Sequence, residues 1–290
     1  MSAIAVVAND AGAANVLFSL LKEQGEEIFG NSSMFPVVEG PAQWLWRQYF
    51  PDIKTYPSLT SIDCTLAGVV TGTGWSSDLE HNARVWSKSS GVKSYALLDH
   101  WVNYKTRFQR NGIVVLPDEL WVTDDWAKSI ADESFPQVPV RQFENAYLLH
   151  QLSRIDAPSS SGTILYILEP VRDTWGKLEQ GEFQALKYFW EHISELPIAT
   201  IKKIFLRPHP SESRDKYNQY LEMDPRIEID QSKDVCEAIS KADIVIGVES
   251  FALTIALAAG RPVFSSLPPW APPLRLPQCG ILQIRNLASR

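Results

Sequence analysis

Short apolar runs alternate with amphipathic stretches along the whole chain. Ile4-Ala5-Val6-Val7-Ala8 is continuous and strand-length, the pattern of a strand buried on both faces. A small-residue turn, Asn9 to Asn15, follows it, and residues 16–24 carry helical spacing up to Gly25. The alternation continues, with strands predicted at 35–38, 64–70, 93–98, 119–123 and 140–143. Helical spacing lies between them at 42–50, 78–89 and from the Asp124-Asp125 pair through residue 131. Residues 154–162, Arg-Ile-Asp-Ala-Pro-Ser-Ser-Ser-Gly, break the pattern and read as a linker.

Beyond that break the alternation restarts. Strands are predicted at 163–168, 204–206, 227–229, 242–247 and from Pro262 through Phe264. Helices are predicted at 183–196, in a polar stretch ending at Leu221, at 234–241 and at 251–259. A Pro-rich stretch, 267–277, reads as an extended strap that returns across the first domain. Strands separated by helices imply βαβ units and parallel sheets. The expected fold is α/β: two Rossmann-like domains, 1–153 and 163–290, facing a central cleft. Right-handed crossovers bring the turns after the strands of each sheet to one edge, where ligands of such sheets bind.

Composition narrows the function. The chain has 290 residues, 45% of them apolar, enough for two cores. Its net charge of −7 argues against a general nucleic-acid binder. Cys64, Cys236 and Cys279 are sparse and widely spaced, so they read as small buried residues of a reduced, cytoplasmic protein. No run approaches the ~20 apolar residues of a membrane span, and the apolar N-terminus lacks the basic flank of a signal peptide. Neither a metal-ligand spacing nor a cofactor fingerprint occurs, so none of either is expected.

The turns after the strands hold the candidate chemistry. In Arg207-Pro208-His209-Pro210-Ser211-Glu212 two prolines stiffen the backbone around a histidine. His209 and Arg207 are suited to phosphate oxygens; the alternative is a rigid turn with His209 facing solvent. In Gly247-Val248-Glu249-Ser250, Ser250 suits the N-cap of the next helix, whose free N–H groups form an anion site. Thr254 lies one turn on, facing the same way, and Glu249 suits sugar or ribose hydroxyls. In the first half, Gly12, Gly72 and Gly74 form close-approach turns. Asp10, or Asp99 with His100, is the candidate base toward a hydroxyl. Each of these acids equally suits a structural role, Asp10 as an N-cap and Asp99-His100 as a hydrogen-bonded pair.

The set of an N-terminal strand, small turn and helix, then a linker, Arg207-Pro208-His209-Pro210, Gly247-Val248-Glu249-Ser250 and Ala258 through Val263 resembles the GT-B glycosyltransferase superfamily. Similar turns occur in bacterial sialyltransferases, capsule Kdo transferases and polyglycerol-phosphate polymerases, and nucleotide-sugar 2-epimerases share the second-domain layout. Ser211, beside His209, is a further candidate for the donor phosphate or nucleotide; the resemblance implies that His209 and Ser250 hold the donor phosphate, with Glu249 on the donor's ribose or sugar. It implies transfer of a sugar from a nucleotide-sugar to a glycan or other hydroxyl acceptor, in surface polysaccharide or glycoconjugate synthesis. Epimerisation or hydrolysis of a nucleotide-sugar, or its binding without catalysis, are the alternatives.

Overall fold

The computed structural model describes residues 2–75 and 77–287, which fall into two compact units, 1–149 and 150–290. Each carries a six-stranded, all-parallel sheet.

In the first unit β1 (Ala3–Ala8) is buried at every residue, as a strand covered on both faces must be. It leads into α1 (Ala11–Phe29), β2 (Ser33–Val38) and α2 (Gly40–Tyr49). β3 (Gly68–Thr71), α3 (Leu79–Ser90), β4 (Lys93–Leu97) and α4 (Tyr104–Arg107) follow. A small hairpin, β5 (Gln109–Arg110) with β6 (Ile113–Val114), precedes β7 (Glu119–Val122), α5 (Asp125–Ser134), β8 (Val140–Gln142) and α6 (Ala146–Leu152). The spatial order is β2-β1-β3-β4-β7-β8. After β2 the chain crosses to the other side of β1, so the strand order reverses between β1 and β3.

Two boundaries differ from the sequence pattern. α1 runs through Gly25 to Phe29 and ends at Gly30, whose φ of 60° suits glycine. A glycine inside a helix costs about 1 kcal/mol. The last turn offsets that by setting Phe29 against Tyr95 and Trp121, with ring centroids 5.6 and 5.7 Å apart. The strand expected over 64–70 begins only at Gly68, and Cys64 is exposed.

The second unit contains β9 (Thr163–Ile167), α7 (Gly181–Glu191), β10 (Lys203–Arg207), α8 (Asn218–Leu221), β11 (Ile227–Ile229) and α9 (Val235–Ser240). β12 (Ile244–Gly247), α10 (Phe251–Ala258), β13 (Val263–Ser265) and β14 (Ile281–Gln283) complete it. The order is β11-β10-β9-β12-β13-β14, reversing between β9 and β12. The core is aromatic and aliphatic, with Tyr166, Phe189, Tyr217 and Phe264 each almost fully buried. The polar helix expected before Leu221 is a 3-10 turn, Arg214–Tyr217, and one turn of α-helix. β14 extends the sheet beyond the Pro-rich stretch and is legible in no apolar run.

The Ser-rich break is bound to the second unit. Asp243 accepts from the backbone N–H of Ser161, Gly162 and Thr163, and from the hydroxyls of Ser159 and Ser161. Buried Arg261 donates to the carbonyls of Asp156, Ala242 and Ala259. Of the cysteines only Cys236 is buried; Cys64 and Cys279 are exposed, against the expectation of three buried thiols.

Candidate functional site

Each unit gathers polar side chains where its strand order reverses, the place where ligands of open parallel sheets bind. In the second unit these are the turns after β9, β10 and β12. β10 and β12 flank β9, so their carboxyl ends lie about 10 Å apart, two strand spacings.

His209 follows β10 and is exposed. Its Nδ1 accepts from the Ser211 backbone N–H at 3.2 Å and lies 2.7 Å from the Ser211 hydroxyl. A fixed N–H donor at Nδ1 sets the tautomer: the ring proton is on Nε2. Partial desolvation of the ring by its turn lowers the imidazole pKa below its ordinary value, against a smaller upward pull from Glu212. The ring is therefore neutral near pH 7 and presents one N–H donor. Its turn is anchored by Glu212, which pairs with Arg172 and Lys216; both cations also pair with Glu182, whose side chain is 1% exposed.

Ser250 caps α10, its hydroxyl accepting from the Ala252 N–H at 3.3 Å. The helix start thus keeps N–H groups for an anion. Three of the expected ligand-binding side chains have partners within the protein. Arg207 is paired with buried Asp230 and also donates to the Ser232 carbonyl. Glu249 is clasped by Arg275, which donates through Nε at 3.0 Å, through Nη2 and through its backbone N–H. Thr254 is buried and donates to the Phe251 carbonyl at 2.7 Å instead of facing out beside Ser250. The side chains expected on phosphate or sugar are in these cases satisfied by the protein.

Glu169, two residues past β9, is an addition. Its carboxylate accepts from the Glu249 backbone N–H at 2.7 Å. Burial, with the charge of Glu249 adding to it, raises its pKa to about 7. The only signal in sequence is its place after a strand, in Glu169-Pro170.

In the first unit the equivalent position lies after β1 and β3. Asp10 caps α1, its Oδ1 accepting from the Ala13 N–H at 3.0 Å. The candidate glycines are close-approach points, but what approaches is the protein's own carboxylates. A side chain at Gly74 would overlap Asp10 Oδ2 and come within 3.1 Å of Glu80 Oε2. One at Gly72 would meet Glu80 Oε1 at 2.7 Å, and one at Gly12 would meet Asp99 Oδ2 at 3.0 Å. Asp99 is held by Arg107 at 2.7 Å, and Arg107 also donates to the Thr73 hydroxyl. The partner the structure gives Asp99 is thus Arg107, while His100 Nδ1 accepts from the Trp101 N–H. Burial, then the charge of Asp99, raises the Asp10 pKa. Glu80, on the first turn of α3, joins these acids without having been signalled in sequence, where it reads as an ordinary helix-face glutamate. Among the described residues no group of three or more His, Cys, Asp or Glu side chains is arranged to hold a metal ion, and no helix is long and apolar enough to cross a membrane.

No protein-family model matches the chain, and no curated protein matches it in sequence. Solved structures do match. The Staphylococcus aureus MnaA–UDP structure is 13% identical, with a TM-score of 0.60 over 91% of this chain and 79% of that one. A putative UDP-N-acetylglucosamine 2-epimerase from Listeria monocytogenes is 15% identical with the same TM-score and coverage. Anabaena HepE, solved in complex with UDP, is 9% identical with a TM-score of 0.54 over 91% of this chain and 80% of that one. The glycotransferase of kitacinnamycin, 11% identical with a TM-score of 0.53 over 92% of this chain and 82% of that one, and the putative nucleotide-sugar epimerase thus share one architecture with this chain: its two parallel-sheet α/β units have the GT-B fold.

Proposed function

We propose that the protein binds a nucleotide-activated sugar through its second unit and transfers the sugar to a hydroxyl acceptor. The observation that carries this reading is His209: a neutral, tautomer-set imidazole whose Nε2–H is free of the Ser211 contacts, on a turn anchored through Glu212 and Lys216 to buried Glu182. Such a donor suits a phosphate oxygen on which negative charge grows as the sugar leaves. The N-terminus of α10, capped by Ser250, supplies a second anion-binding element beside the same strand-order reversal. UDP in the MnaA and HepE structures supports a nucleotide ligand. Asp10 in the first unit serves as the base that takes the acceptor proton.

Titration calorimetry and thermal shift with UDP, and with uridine, cytidine and guanosine diphospho-sugars and cytidine monophospho-sugars, test the binding half. We expect a clear shift with one nucleotide class and about a tenfold loss of affinity in His209→Ala, the worth of one hydrogen bond to a charged group. Unchanged affinity in that variant would remove the phosphate site.

Epimerisation is the second reading, favoured by one observation: the putative epimerase from Listeria matches at a TM-score of 0.60, against 0.53 for the kitacinnamycin glycotransferase. Incubation with the bound nucleotide-sugar and no acceptor separates the two, since epimer formation belongs only to the second.

A further inference from the structure

Glu80 is completely buried. Its Oε1 accepts from the Asn9 backbone N–H at 3.2 Å. Its Oε2 is buried too and has no hydrogen-bond partner among the described residues. An ionised carboxylate left so is costly. Oε2 lies 3.1 Å from the point that a Gly74 side chain would occupy and Asp10 Oδ2 lies 2.1 Å from the same point, so the two oxygens are no further apart than the sum of these distances, about 5.2 Å. The absence of a side chain at Gly74 is what lets the two carboxyl groups approach.

The surrounding charges do not neutralise both acids. Asp99 is taken by Arg107. Arg84, also buried on α3, gives its Nε to the Val115 carbonyl and its Nη1 to Thr71 and Gly72. It reaches Glu80 only as a nearby charge. Asp10, with one oxygen on the Ala13 N–H, has the better-solvated place as an anion.

We propose that Glu80 is the proton-holding partner of Asp10: a neutral carboxyl whose proton faces Asp10 Oδ2 and which thereby positions Asp10 as the ionised, proton-accepting carboxylate of the first unit. Burial, then the charge of Asp10, raises the Glu80 pKa to about 7, in agreement with this arrangement. Two carboxyl groups this close do not both ionise readily. In the transfer reaction, on which the chemical part of this inference rests, the acceptor O–H bond breaks as its oxygen bonds to the sugar carbon. The electron pair of the sugar–phosphate bond leaves with the nucleotide, and the proton passes to Asp10. A neutral Glu80 stabilises Asp10 as an anion before that step. An ionised Glu80 raises its proton affinity and disfavours the free carboxylate.

The test is carboxyl 13C NMR of the full chain labelled at glutamate, with Glu80 identified by the signal lost in Glu80→Gln. The titration needs neither nucleotide nor acceptor, so it stands or falls apart from the transfer reading. We expect the Glu80 signal to titrate near pH 7 and its midpoint to fall in Asp10→Asn. Glu169, also raised to about 7, owes its value to burial, Glu249 and Arg275, and keeps its midpoint. Should Glu80→Gln not fold, Asp10→Asn still decides: one near-neutral glutamate must move and the other must not. A Glu80 midpoint in the ordinary carboxylate range near 4.3, or one indifferent to Asp10→Asn, overturns the inference.

Discussion

Replacing Glu169 by Gln isolates the energetic cost of a carboxylate held at the reversal between β9 and β12. The Glu169 pKa stands at about 7 in the folded chain against an ordinary 4.5, with burial the main cause. The folded state therefore holds more protons than the unfolded state between those values. The sign follows: stability contributed by this group is fully present below about pH 4.5 and is lost as pH rises to about 7. At about 1.4 kcal/mol for each pH unit, the loss reaches roughly 3 kcal/mol by pH 8. Glutamine keeps a carbonyl oxygen for the Glu249 N–H and carries no charge. The variant should match the parent near pH 4.5 and exceed it by up to about 3 kcal/mol at pH 8. Because the chain has two compact units, the assay reads stability locally: hydrogen exchange by mass spectrometry on β9 and β12 peptides at both pH values, backed by urea titration. Parallel pH profiles for parent and variant would show that Glu169 titrates as an ordinary carboxyl and refute the reasoning.

Two further outcomes follow from the geometry. Gly74→Ala drives a methyl group into Asp10 and Glu80; we expect a loss of about 2 kcal/mol in urea unfolding, typical of overpacking, with no loss in Gly25→Ala, where a methyl inside α1 would meet nothing nearer than Leu21 Cβ at 3.9 Å and alanine favours the helix over glycine by about 1 kcal/mol. Asp243→Ala leaves the N–H groups of Ser161, Gly162 and Thr163 without their acceptor. It should destabilise the second unit by about 2 kcal/mol and open residues 159–163 to limited proteolysis.

Much of the architecture follows from sequence alone. Continuous apolar runs such as Ile4 to Ala8 demand strands covered on both faces, and their alternation with helical spacing demands parallel sheets. The order of turns after strands then places His209, Ser250 and Asp10 at carboxyl edges, and residues 227–229 and the start of α10 agree with the pattern to the residue. Local chemistry made these legible: a proline-flanked histidine, a serine before an apolar helix, an aspartate before a small-residue turn.

What tertiary structure alone decided is which of these groups are already satisfied. Arg207 meets Asp230 23 residues on, and Glu249 meets Arg275 26 residues on; no periodicity encodes such pairs, because they depend on which strands become neighbours. The same holds for β14, too short to show a pattern, and for α1 continuing through Gly25, where aromatic packing outweighs local propensity. Glu80 is the clearest case. On its helix it is one charged residue among several, and only the apposition of β1, β3 and α3 removes it from water, leaves its Oε2 without a partner among the described residues and sets it against Asp10. Burial and proximity govern proton affinity, and both are properties of the folded chain.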